Sequence, residues 1–312
     1  MPVEFLTDEQ AAVYGRFVDA PSRAELDRLC FLDDDDRTLI AGRRGDVSRL
    51  GFALQLVTVR SLGLFLPDPL AVPISVLDYV AEQLQIADPS CVKGYGERRS
   101  TRFEHASEIA RARGYGDFAS VEGELRRWVS DLAWTTGDGP RAIFDAAVAW
   151  LRKRQVLLPG VSRLARLVAA ERDAATKRVW ESLSGLLSSE QALALDGLLQ
   201  VPAGSRVSVL EELRTGPRTV SGLGMVKALH RVSELAGLGV GGLDLGGVPA
   251  RRVVELARYG MAAKAPALAR HDDQRRRATL LATARRLQGR AVDDALVVCL
   301  QNIRSVRDSL GG

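Results

Sequence analysis

The segment "SRLGFALQLVTVRSLGLFLPDP", residues 48–69, is apolar on more than one side, yet it carries Arg49 and Arg60. At 100° per residue, Leu50, Leu54 and Val57 form one stripe. Phe52, Leu56 and Val59 form a second, roughly opposite. A helix gripped from two sides is the middle element of a small bundle. Arg49 and Arg60 are eleven residues apart and so lie within about 20° of each other on a remaining edge. The spacing predicts a helix held inside its bundle with an arginine edge turned to a polyanion. Just upstream, "DDDDRTLIAGRRGDVSRLG" reads as helix, tight turn, helix, with Gly42 and Gly45 bracketing Arg43 and Arg44 and with Asp46 placed to cap. Helix–turn–helix units have this shape, and their second helix and leading turn meet DNA.

The same helical grammar runs along the chain. Thr7 and Gln10 spell a capping box, as do Ser22 and Glu25. No alternating run of β-branched residues promises a sheet, so the expected fold is all-α. "LPDPLAVP", residues 66–73, cannot continue a helix and suggests a boundary. "LLPGVSRLARLVAAERDAATKRVWESL" breaks at Pro159-Gly160 and restarts as a long helix capped by Ser162. The expected organisation is two helix–turn–helix-like domains, residues 1–70 and 71–158, followed by a helical scaffold over 159–312. Gly237, Gly239 and Gly242 match G-x-G-x-x-G by letter, but no strand precedes them, so the stretch reads as a turn.

Charge is unevenly distributed over the 312 residues, whose net charge is +4. Residues 1–36 carry a local −7, residues 141–178 a local +6 and residues 251–290 a local +8. The cations are 38 Arg and five Lys. Sign asymmetry with arginine excess favours a nucleic-acid partner over a small neutral substrate. A GC-rich genome would bias the codons the same way.

Other chemistries find little support. Cys30, Cys91 and Cys299 make neither a metal spacing nor a disulfide framework, which points to a reducing cytoplasm. "MPVEFLTDEQ" is not a signal peptide, and no stretch approaches the ~18–20 apolar residues of a membrane span. His105, His230 and His271 are isolated. The run Asp33–Asp36 reads as a solvated helix start, where carboxylates suit the helix dipole, rather than as a metal loop. No nucleophile elbow, zinc motif or P-loop occurs, so neither an active site, a metal nor a cofactor is expected in this chain.

Three basic constellations remain. The first is Arg43, Arg44, Arg49 and Arg60, on the turn and second helix of the helix–turn–helix. The second is Arg98, Arg99 and Arg102, with His105, at the opening of a helix, where backbone N–H groups also favour phosphate. The third is Arg152, Lys153, Arg154, Arg163, Arg166 and Lys177. On the helix over 162–183, Arg163, Arg166 and Lys177 fall within an arc of about 60°, with Ala170 and Ala174 beside them. Each constellation has a plainer reading as a solvated face.

"RRGDVSRLGFALQLVTVRSLGLFL", "YGERRSTRFEHASEIARARGYGDF", "WTTGDGPRAIFDAAVAWLRKRQVLLPGVSRLARLVA" and "ARHDDQRRRATLLAT" follow in this order. Together they resemble the amino-terminal region of the replicative, class II transposases of the Tn-three family. The resemblance implies helical domains that recognise the terminal inverted repeats of a transposon. It also implies that catalysis belongs to a carboxy-terminal RNase-H-like D-D-E domain using magnesium, which this chain is expected to lack. The expected partner is double-stranded DNA, with a homodimer allowed and no membrane or small-molecule substrate. The expected location is the bacterial cytoplasm, on the nucleoid when bound. The rival reading is a non-catalytic helical self-association module.

Overall fold

The computed structural model describes residues 5–96, 99–217 and 219–310. Among them regular structure is helical, and one isolated β-bridge joins Gly116 to Val156. The all-α expectation is met. The helices in chain order are α1 (Asp8–Val13), α2 (Arg23–Leu29), α3 (Asp34–Ala41), α4 (Asp46–Leu62) and α5 (Ile74–Gln83). A 3₁₀ segment, Pro89–Gly96, precedes α6 (Arg99–Ala112), α7 (Phe118–Thr135), α8 (Pro140–Lys153) and α9 (Val161–Ser184). Then come α10 (Ser189–Gly197), α11 (Val209–Arg214), α12 (Gly222–Gly237), α13 (Ala250–Ala262), α14 (Ala265–Ala269) and α15 (Asp273–Leu310). The chain divides into two compact units, one of residues 1–129 and 139–170, the other of residues 130–138 and 171–312.

The first unit is built around α4. Every residue from Leu50 to Val59 is buried, because α2, α3, α5, α6 and the 3₁₀ segment all pack on it. This is the two-sided grip that the two apolar stripes require. Gly63 ends α4 in the left-handed region at φ 80°, where a side chain would strain the backbone. At its start the cap is Gly45, and Asp46 is the first helical residue rather than the cap. The capping boxes at Thr7–Gln10 and Ser22–Glu25 form as expected.

The boundary expected at residues 66–73 is not a break in packing. Phe65, Leu70 and Val72 pack against the same buried cluster that holds Leu26, Phe52, Val80, Tyr95 and Ile109. The prolines stop α4 from continuing, but they do not decide whether the flanking helices share a core. The chain passes between the two units within α7, after residue 129, and within α9, after residue 170, where no proline or glycine cluster marks it, and also between Asp138 and Gly139, beside Gly137 and Pro140.

The second unit is built around α15. Residues Ala278 to Ala284 are all buried, under α10, α12 and α13. Buried Thr279 and Thr283 satisfy their hydroxyls on the carbonyls of Arg275 and Thr279, one turn back. On α13, Gly260 faces Thr283 so closely that a Cβ there would collide with the hydroxyl. A glycine is what lets these two helices approach.

Candidate nucleic-acid interface

The arginine edge of α4 turns inward. Arg60 donates to both carboxylate oxygens of Asp36 at 2.8 and 2.6 Å and to the Phe31 carbonyl at 2.7 Å. Arg113, on the other side, also pairs with Asp36. Asp36 is 0% exposed, so the carboxylate is clamped between two guanidiniums inside the first unit. Its backbone position is set by the turn of α3. Asp33 caps the helix, its carboxylate accepting from the Asp36 N–H at 2.7 Å, and Asp36 reciprocates. That backbone bond, with Arg113 nearby, holds the Asp33 carboxyl below the usual carboxylate range. The run Asp33–Asp36 is thus only partly the solvated helix start expected of it.

Other members of the first constellation are similarly occupied. Arg43 pairs with Glu108 and lies 4.5 Å over the Phe52 ring. Arg49 pairs with Asp46 at 3.1 Å and reaches the Leu84 carbonyl at 3.4 Å. Only Arg44, at the turn between α3 and α4, is exposed with no ion-pair partner among the described residues. Arg49 and Arg60, expected as an edge turned to a polyanion, each bond groups of their own protein. An arginine on a helix buried along its length is most cheaply kept charged by a carboxylate or a carbonyl of its own protein.

Of the second constellation, Arg98 and the Arg99 side chain lie outside the described residues. Arg102 donates to the Pro67 carbonyl at 3.1 Å. His105 is a core residue. Its Nδ1 lies 2.7 Å from the Tyr95 hydroxyl, which in turn accepts from the Gln55 amide at 2.7 Å. Burial, with help from Arg43, holds the His105 pKa below its ordinary value.

The third constellation is the most exposed. Arg152 donates to the Ser61 carbonyl in the last turn of α4, where a cation suits the carbonyl end of the helix. Arg154 stacks 3.7 Å over the Trp150 ring and pairs with Glu124. Arg163 pairs with Glu122 and lies 4.8 Å over Phe118. Arg166 is exposed and, among the described residues, bonds only its own helix, at the Ser162 carbonyl. Lys153 is exposed on the last turn of α8, and Lys177 is exposed on α9 in the second unit, neither with an ion-pair partner among the described residues. The charge reading passed over Arg111, exposed in the last turn of α6, and Arg127, exposed on α7. Neither stands in a local run of basic residues as dense as the constellations, and only the fold shows them facing solvent.

The second unit uses much of its local positive charge internally. Arg276 and Arg277 both clamp Asp196, at 2.9 Å each. Burial alone would raise the Asp196 pKa, but these two hydrogen-bonded guanidiniums hold it below the ordinary value. Arg231 joins Asp294 at 2.6 Å, and buried Arg252 joins Glu255 and Thr176. Among the described residues no group of three or more His, Cys, Asp and Glu side chains is arranged to hold a metal ion, and no helix is long and apolar enough to cross a membrane.

A helical domain laced by internal arginine clamps is the class this architecture defines. Residues 5–170 match the family model described as Domain of unknown function (DUF4158), and the chain belongs to that family. The chain is 40% identical over 300 residues to the transposase for transposon gamma-delta of Escherichia coli (strain K12), covering 96% of this chain and 30% of that relative. It is 31% identical over 278 residues to the transposase for transposon Tn501 of Pseudomonas aeruginosa, covering 88% of this chain and 28% of the relative. A third relative, the transposase for transposon Tn4556 of Streptomyces fradiae, is 55% identical over 96 residues. The resemblance to Tn-three family transposases is thus homology along nearly the whole chain. The chain spans less than a third of the length of these curated relatives.

Proposed function

We propose that this chain binds double-stranded DNA at transposon terminal inverted repeats, as part of a Tn-three family transposase acting in DNA transposition. The observation that carries the reading is the 40% identity to a transposase over 96% of the chain. In this reading strand cleavage and joining, with their magnesium, belong to the rest of a full-length relative, of which the chain spans about 30%. These residues supply recognition in the bacterial cytoplasm, without a cofactor or a small-molecule substrate. The division of Tn-three recognition into domains 1–70 and 71–158 is not part of the proposal, since both stretches contribute to one core.

The contacts to DNA fall to the cations that the protein does not itself use. Arg44, Lys153 and Arg166 in the first unit, and Lys177 in the second, are exposed. Arg43 and Arg60 are assigned to the fold instead. Each phosphate neutralised contributes about 0.9 to the slope of log K against log salt. A variant with Arg44, Lys153, Arg166 and Lys177 all changed to Gln is therefore expected to lose about 3–4 units of that slope, on terminal-repeat DNA and scrambled DNA alike. The measurement is fluorescence anisotropy over a salt series, with circular dichroism to verify the fold. A folded quadruple variant with the wild-type slope would remove these residues from the interface. Equal wild-type affinity for repeat and scrambled DNA at every salt would remove specific recognition.

A further inference from the structure

The carboxy-terminal half of α15 carries apolar side chains that its own unit leaves uncovered. Val292, Leu296, Leu300 and Ile303 are 46%, 58%, 56% and 60% exposed. At 100° per residue they occupy one arc of about 80° over eleven residues, some 16 Å of helix. The opposite side of the same stretch is already used. Ala291 and Val298 are buried, Asp294 holds Arg231, and Asn302 donates to the Ser221 carbonyl. The helix is thus apolar on two sides, with one side satisfied inside the unit. Side chains of this size, half exposed in one row, make a patch of about 300–600 Å², the size of the largest apolar patch on a typical monomer, which is often functional.

The charges beside the stripe say what fits it. Asp293 and Arg304 are both exposed, and eleven residues apart they lie within about 20° of each other, on the Leu300 side of the row. The other side carries Ala295 and Cys299, which are small and uncharged. In an antiparallel pair of identical helices related by a two-fold axis, the same flank of each helix meets, with heights reversed. A dyad midway between Asp293 and Arg304 falls between residues 298 and 299. The centre of the apolar row falls at residue 298, within one residue of it. One axis therefore stacks the two apolar rows and sets Asp293 of each copy against Arg304 of the other. A parallel pairing would leave these charges about 16 Å apart along the helix.

We propose that this face of α15 is the docking site for a second copy of the chain, in an antiparallel two-fold pair closed by two reciprocal Asp293–Arg304 contacts. The proposal does not rest on DNA binding. It is tested on the full 312-residue chain without DNA, by sedimentation equilibrium from ~1 to ~100 µM. A reversible monomer–dimer equilibrium is expected. Leu296→Glu with Leu300→Glu is expected to abolish the dimer while leaving the helical circular dichroism unchanged. Asp293→Arg and Arg304→Asp should each raise the dimer dissociation constant about tenfold or more, because each sets like charges together twice. The double reversal Asp293→Arg/Arg304→Asp should return it to near the wild-type value. A wild-type chain that stays monomeric throughout overturns the proposal. So does a dimer that survives the Leu296/Leu300 change, or one in which the double reversal is no better than the single changes.

Discussion

Asp36 sits in the first turn of α3, where a carboxylate is ordinarily solvated, and yet its side chain is fully enclosed. Two guanidiniums make that enclosure tolerable, Arg60 from α4 and Arg113 from just beyond α6. Changing Asp36 to Asn keeps the shape and the amide oxygen that completes the capping box, and removes only the charge. Breaking one partner of a buried ion pair costs about 3–5 kcal/mol. Both arginines here are partly exposed and can be rehydrated, so the expected loss is about 3 kcal/mol, at the lower end. Arg44→Gln, at an exposed and unpaired site, is expected to stay within about 0.5 kcal/mol. Urea denaturation of the two variants checks both, and an Asp36→Asn protein as stable as wild type would mean that the clamp contributes nothing. Why the sequence hid this is instructive. Four consecutive aspartates look alike, and the partners that single out Asp36 lie 24 and 77 residues away. The capping boxes at Thr7 and Ser22 were legible because all their groups lie within three residues.

At the level of elements, α4 shows what periodicity reveals and what it leaves out. Two apolar stripes sufficed to make it the middle of a bundle, but they could not say whether its arginines met solvent or protein. Nor could they mark Gly51 as a point of closest approach. A Cβ built on Gly51 would lie 2.2 Å from the Tyr95 ring. Tyr95 is fixed by Gln55 and His105 and has little room to yield. Gly→Ala in a helix gains up to about 1 kcal/mol from propensity. Forcing an extra methyl group into a packed core costs about 1–3 kcal/mol. The clash is at the ring itself, so it should win, and Gly51→Ala is expected to lower stability by about 1–2 kcal/mol net. Gly123, exposed on α7 with open space around its Cβ position, is the control in which only the propensity gain remains. Thermal melts of the two variants should move in opposite directions. Movement in the same direction would show that Tyr95 repacks freely.

For the molecule as a whole, the decisive observation is where the first core ends. The compact unit runs to residue 170, and the family model also ends at residue 170. Composition placed a boundary at residues 66–73, because prolines are visible in a sequence and a shared core is not. These two divisions predict different autonomous fragments. A fragment of residues 1–170 keeps α4 and the elements that bury it. A fragment of residues 75–186 keeps α5 and α6 but loses α4, and with it the apolar surface against which Val80, Tyr95 and Ile109 are buried. Residues 1–170 are therefore expected to melt cooperatively, and residues 75–186 to lack a cooperative transition. Trp134 supplies an internal check on the first fragment. It packs on the core of the second unit with Arg178 3.8 Å over its ring, and both that core and Arg178 are absent from residues 1–170. Its emission in the fragment should shift to the red relative to the full chain, whereas Trp128 and Trp150, whose ring centroids are 6.0 Å apart within the first unit, should keep their environment. Single-tryptophan versions of the fragment and the full chain separate these signals. A cooperative melt from residues 75–186, with none from residues 1–170, would return the boundary to the proline-rich segment and dissolve the single core around α4.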